Sequence, residues 1–151
     1  MAYPVLLDIQ NRECLVVGAG KIALKKTKEL LKNKARVFVV AKEIMPEFYA
    51  LARYQNITVK TESFAPDYIN GKFLVIAATD NPALNEYICR EASLRNVLSN
   101  SVSGRKYASF MNTAYFGNKD ILVAVSSSGK NPSKSLKLKN LIKEYIAQIQ
   151  G

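Results

Sequence analysis

At 151 residues the chain has the length of one domain, and 48% hydrophobic against 23% charged residues is the balance of a chain that packs a core. Seven Gly, five Pro and two Cys exclude collagen-like and disulfide-scaffold classes, and the absence of His excludes imidazole acid–base chemistry, His-based nucleophile triads and His-ligated metals. The formal charge of +10 suits an anionic partner (nucleic acid, acidic lipid, or a phosphate or polycarboxylate ligand) or simply solubility.

Met1-Ala2-Tyr3-Pro4 carries no basic segment ahead of an apolar one, so no secretory leader is expected. The run Cys14–Val17 is continuous and apolar, as are Val37–Ala41 and Phe73–Ala78. Continuous runs of this length mark strands covered on both faces, as in a parallel sheet. None reaches the ~18 residues of a membrane span, and no membrane association is expected. Between the first two, Ala23, Thr27, Leu30 and Leu31 recur at helical spacing, with Lys25, Lys28 and Lys32 on the other side; this helix should end near Asn33. A second helix is predicted from Pro46 to about Tyr54, then a short strand at Ile57–Val59. A third helix has Asp80-Asn81 as its cap, Pro82 in its first turn, and Leu84, Tyr87, Ile88 and Ala92 as its buried stripe. Val97-Leu98 reads as the next strand and Asp120–Val125 as a later one. Ser126–Pro132 is a turn, and the last helix carries Leu138, Leu141, Ile142, Tyr145, Ile146 and Ile149 as an apolar stripe that needs a cover. Strands alternating with helices predict α/β architecture: a Rossmann-type doubly wound parallel sheet, followed by a short strand-plus-helix segment. Cys14 and Cys89 lie in apolar stretches and read as buried thiols of a reducing, cytoplasmic compartment.

Gly18-Ala19-Gly20-Lys21-Ile22-Ala23 follows the first strand and opens the first helix, fitting G-x-G-x-x-G/A. Gly18 permits a tight turn, Gly20 lets the backbone approach a pyrophosphate, and Ala23 lets the helix pack close to the sheet. The helix N-terminus offers N–H groups and a positive dipole end to phosphate oxygens, and Lys21 adds charge. An acid is wanted at the end of the second strand for the adenosine ribose. Ala41-Lys42-Glu43 stand there, with Glu43 slightly late and Lys42 placed to meet a 2′-phosphate, so NAD and NADP both stay open. Ala78, Thr79 and Asp80 end the Phe73–Ala78 strand, where open α/β sheets bind ligands. Thr79 and Asp80 are candidate hydrogen-bonding residues, with Asp80 also capping the next helix.

The segments Ala77-Ala78-Thr79-Asp80, Ala108-Ser109-Phe110 and Val123-Ala124-Val125-Ser126-Ser127-Ser128-Gly129, in this order and after the glycine loop, resemble the precorrin-2 dehydrogenases of siroheme synthesis. Tyr3–Asp8, Lys25-Lys26 and Asn100-Ser101-Val102 extend the resemblance over nearly the whole chain. It implies NAD-dependent oxidation of precorrin-2 to sirohydrochlorin, a homodimer, and a cofactor site that includes Asn100 and Val102 beside the residues above. It implies a dinucleotide-binding domain over 1–112 and a dimerisation segment over 113–151, shorter than in the family. It places Arg105, Lys106, Ser126, Ser127, Ser128 and Lys130 near a substrate bearing eight carboxylates. Lys134 and Lys137 are further cations by the expected cleft.

The family's N-x-V-D motif reads Asn100-Ser101-Val102-Ser103 here, so Ser103 occupies the place of the candidate base. Serine without a partner is a poor base. Asp67, Asp80 and Asp120 are the other acids with no motif to nominate them. Iron insertion, which some members perform, needs a ligand or proton acceptor near the macrocycle, and no metal site is expected. The alternative reading is a non-catalytic dinucleotide-binding regulatory or scaffold module of tetrapyrrole synthesis. Nucleic-acid binding rests on charge alone, without a motif, and is not expected.

Overall fold

The computed structural model describes residues 3–53, 56–118 and 120–150, and it divides into two compact units. The first, Leu6–Phe110, holds a five-stranded parallel sheet in the order β3-β2-β1-β4-β5. The strands are β1 (Glu13–Val17), β2 (Arg36–Ala41), β3 (Ile57–Thr61), β4 (Leu74–Ala77) and β5 (Leu98–Ser101). β1 is central and apolar on both faces, with Cys14 to Val17 all buried, which is why its sequence does not alternate. Cys14 and Val16 face one core with Ala23 and Leu30 of helix α1 (Lys21–Lys32). Leu15 and Val17 face the other, with Ile88, Cys89 and Ala92 of helix α3 (Pro82–Leu94). The chain runs outward from β1 to β2 and β3, then returns to the other side of β1 as β4. The order reverses at β1, which opens a crevice at the carboxyl ends of β1 and β4.

Several elements differ from expectation. The second helix, α2, is short (Glu47–Leu51), and its expected end at Tyr54 lies outside the described residues. A single 3-10 turn, Pro66–Ile69, was not foreseen. The buried stripe of α3 is Asn85, Ile88, Cys89 and Ala92; Leu84 is half-buried and Tyr87 exposed. The cap of α3 is Asn81, whose Oδ1 accepts from Leu84 N at 3.1 Å, and not Asp80. Asn81 has the extended backbone an N-cap needs and sits three residues before the amide it binds.

The second unit runs from Met111 onward, joined by residues 3–5. It contains an antiparallel hairpin, β6 (Ala114–Gly117) with β7 (Leu122–Val125), and helix α4 (Pro132–Gln150). The expected strand from Asp120 begins only at Leu122, because Asp120 N and Ile121 N are both taken by Asn118 Oδ1 in the turn. Among the described residues no helix is long and apolar enough to cross a membrane.

Candidate functional site

The glycine turn is built by the strands it joins. Gly18 N donates to Val40 O at 2.9 Å, Ala78 N to Val17 O at 2.8 Å and Met45 N to Ala19 O at 3.2 Å, so the exits of β2, β1 and β4 are laced together. Gly18 has φ +106°, and a Cβ there would fall inside the Ala78 carbonyl and 3.0 Å from Thr79 N. Only glycine meets both demands. Gly20 differs: a Cβ there would meet nothing within 4 Å. It is the extended N-cap of α1, with no side-chain cap bond and no acid in the first turn. Leu24 N makes the first helical bond, to Gly20 O at 2.9 Å. The amides of Lys21, Ile22 and Ala23 are therefore the orphan donors of a helix start, at its positive end, beside open space. This is a fit for a diphosphate. Lys21 and Ile22 are exposed and Ala19 and Ala23 buried, so the loop presents backbone outward and packs its methyls inward.

At the end of β2, Ala41 is half-buried and its carbonyl accepts from Glu62 N at 3.0 Å, while Lys42 and Glu43 are exposed. Asp80 is exposed at the end of β4. Thr79 is engaged throughout. Its N–H and hydroxyl donate to Asn85 Oδ1 at 3.1 and 2.7 Å, its carbonyl accepts from Asn85 Nδ2 at 3.0 Å, and its Oγ1 accepts from Asn81 N at 3.2 Å. Asn100, buried at the end of β5, donates from Nδ2 to Phe110 O at 2.9 Å, and Val102 N donates to Ala77 O at 3.1 Å. These two hold the β5 exit and the Ala108–Phe110 segment against the sheet. Ser103 follows, exposed, its Oγ accepting from Asn85 Nδ2 at 3.0 Å and lying 3.2 Å from Ser101 Oγ. Sequence reasoning missed Asn85; the signal was a polar residue three positions ahead of Ile88 on the helix stripe.

The cations of the next loop are exposed. Lys106 Nζ pairs with Glu86 Oε2 at 3.0 Å, a bond that raises the lysine above its ordinary pKa, and Arg90 and Lys106 both approach the Tyr107 ring. Ser126, Ser127, Ser128 and Lys130 belong to the second unit. There Ser126 Oγ accepts from Ser128 N at 3.0 Å, Ser127 Oγ accepts from Asn131 N at 2.8 Å, and Asn131 Oδ1 accepts from Lys134 N at 2.9 Å. The serines thus build the turn into α4. Lys137 is exposed on α4, and Asp67 and Asp120 are exposed far from any cluster of acids in sequence. Burial pushes the Cys14 thiol up to about 12, assisted by Glu13 and opposed by Lys72, and burial also raises Cys89. Both stay protonated and unreactive at neutral pH.

The site therefore gathers Gly18–Ile22, Ala78–Asp80 and Asn100–Ser103 along the carboxyl edge of one sheet. The model of the family NAD_binding_7, described as "Putative NAD(P)-binding", matches residues 5–114. Siroheme synthase 1 of Aeromonas hydrophila subsp. hydrophila is 33% identical over 148 residues, 98% of this chain and 32% of the relative. Siroheme synthase of Buchnera aphidicola subsp. Acyrthosiphon pisum is 36% identical over 146 residues, 97% of this chain and 30% of the relative. The chain thus spans about a third of the length of these curated relatives. Among solved structures, SirC, a precorrin-2 dehydrogenase, superposes with a TM-score of 0.76 at 26% identity, over 97% of this chain and 70% of that one. With the strand–glycine–helix unit and the 3-2-1-4-5 sheet, these matches place the chain in the NAD(P)-binding family of the siroheme synthase N-terminal region.

Proposed function

We propose that this chain is an NAD-dependent precorrin-2 dehydrogenase, oxidising precorrin-2 to sirohydrochlorin in siroheme biosynthesis. The observation that carries the reading is the uncapped N-terminus of α1, opened by Gly18 and Gly20 where the strand order reverses. The likeness to SirC supports the choice of substrate. The amides of Lys21 and Ile22 bind the diphosphate, Lys42 and Glu43 stand at the ribose end, and Ala78 leaves room beside the crevice. NAD, when bound, supplies a two-electron hydride acceptor. Held on the amides of Lys21 and Ile22, that acceptor would take up the hydride of precorrin-2 oxidation, with the accompanying proton released to solvent. The protein's contribution is to orient two large reactants, which needs no strong base. Ser103 sits at the rim where a base would stand. Arg105 and Lys106 are the groups of the first unit assigned to substrate carboxylates. Lys106 exchanges an exposed, solvent-screened pair with Glu86 for that contact. Residues 113–151 form the dimerisation segment of a cytoplasmic homodimer.

A second reading, a non-catalytic dinucleotide-binding regulatory module, is favoured by Ser103 itself, a hydroxyl already bonded inside the protein. Anaerobic incubation with precorrin-2 and NAD separates the two. The dehydrogenase forms sirohydrochlorin and NADH in equal amounts. The regulatory module binds NAD and forms neither, and that result overturns the proposal.

A further inference from the structure

One buried polar group has no part in the chemistry above. Asn85 lies on the inner face of α3, fully buried, next to Ile88 and Cys89 on the same stripe. An apolar side chain would suit that stripe, and a buried amide is costly unless its partners are met. Here every partner is met. Oδ1 accepts from Thr79 N at 3.1 Å and Thr79 Oγ1 at 2.7 Å, and Nδ2 donates to Thr79 O at 3.0 Å and Ser103 Oγ at 3.0 Å. Three bonds hold the exit of β4, and the fourth crosses to the loop beyond β5. A carboxamide is suited to this because it accepts twice and donates twice without charge.

The fourth bond decides the polarity of Ser103. Its oxygen receives a hydrogen from Asn85, so its own proton points elsewhere. Ser101 Oγ accepts from Ser103 N at 3.2 Å and lies 3.2 Å from Ser103 Oγ, so its second lone pair holds the Ser103 proton until a ligand oxygen takes it. We propose that Asn85 is a positioning residue: it locks the exits of β4 and β5 together and presents the Ser103 hydroxyl as a hydrogen-bond donor to an oxygen of the bound ligand. That oxygen belongs to a carbonyl or carboxylate, either the nicotinamide carboxamide or a tetrapyrrole carboxylate. Ser103 is then an orienting donor and not a base. The inference rests on the dehydrogenase reading.

The test uses the full chain and the variants N85D and S103A. N85D keeps an acceptor for Thr79 N but removes both donors, and its carboxylate turns the Ser103 proton inward. S103A deletes the hydroxyl at an exposed position. Each should lower kcat about tenfold, the scale of one oriented hydrogen bond, and the double variant should fall no further than S103A alone. Weaker NAD binding in S103A, read by calorimetry, assigns the oxygen to the nicotinamide; a raised KM for precorrin-2 alone assigns it to the tetrapyrrole. Independently of turnover, the Asn85 side-chain amide signals in 1H–15N spectra should shift when either NAD or precorrin-2 is added to the wild type, and stay still in S103A. Multiplying losses in the double variant, or an Asn85 amide that ignores both ligands, overturns the proposal. If N85D fails to fold, the wild-type and S103A spectra decide. If the wild type forms no sirohydrochlorin yet its Asn85 amide shifts with NAD in a Ser103-dependent way, the dehydrogenase reading falls and the positioning role stands.

Discussion

The two glycines of the turn do different work. Gly18 holds a positive φ and leaves no space for a methyl against the Ala78 carbonyl, so G18A strains the backbone and pushes β1 from β4. It should lower stability by about 2 kcal/mol or more, visible as a reduced urea midpoint before any ligand is added. Gly20 has an ordinary φ of −87° and open space around it. G20A puts a poor N-cap residue at the start of α1 without a clash, so it should cost no more than about 1 kcal/mol, less than G18A. Its methyl occupies the space a diphosphate needs, so NAD binding, read by fluorescence titration, should weaken at least about tenfold. Unchanged NAD binding in G20A would show that the open space at Gly20 has no bearing on a ligand. The motif spacing alone predicted these two roles. What it did not reveal is that Gly18 is demanded by Ala78, a residue 60 positions away, just past the end of the neighbouring strand β4.

Elements were legible where burial was two-sided. β1, β2 and β4 write their placement into unbroken apolar runs, because each is covered on both faces. β6 was not legible. It has four residues, alternates half-buried with exposed, and ends at Gly117, so it offers neither a run nor a long alternation. Two of the four stripe positions of α3 differ from expectation: Leu84 and Tyr87 stood in place of Asn85, whose polar side chain hid its burial, and of Cys89, which was read as buried but not placed on the stripe. The two choices share Ile88 and Ala92, and only tertiary packing against β4 and β5 separates them. The start of α3 was legible as a cap signal but not as to which residue caps: Asp80 and Asn81 are both good candidates. The structure chooses Asn81, which also donates to Thr79 Oγ1 and so links the cap to the buried network. N81A should therefore cost about 1 kcal/mol of unfolding free energy, and D80A should change it by less than about 0.5 kcal/mol. Urea midpoints of the two single variants check this. A larger loss in D80A than in N81A would return the cap to Asp80.

At the scale of the whole molecule, the second unit presents a surface that its own hairpin does not cover. On α4, Ser135, Lys139, Ile142 and Ile146 are the covered or half-covered positions, and they share one face. Leu138, Leu141, Tyr145 and Ile149 lie roughly a quarter-turn round the helix, at 3.6 residues per turn, and all are exposed. A helix apolar on two adjacent faces needs two covers. Fully covering an aliphatic or aromatic side chain contributes about 1.5–3 kcal/mol, so this face supplies enough for association between copies. Net charge opposes it: each copy carries +10, and repulsion between copies grows as salt falls. The proposed homodimer should therefore tighten with ionic strength, the reverse of a complex held by opposite charges. Sedimentation velocity at tens of micromolar should find a dimer at 0.5 M salt and more monomer at 0.02 M. L141E with Y145E should yield a monomer at both while retaining the wild-type far-ultraviolet circular dichroism, since neither side chain is buried within the chain. A wild-type chain that sediments as a monomer at high salt would mean that something other than a second copy covers this face.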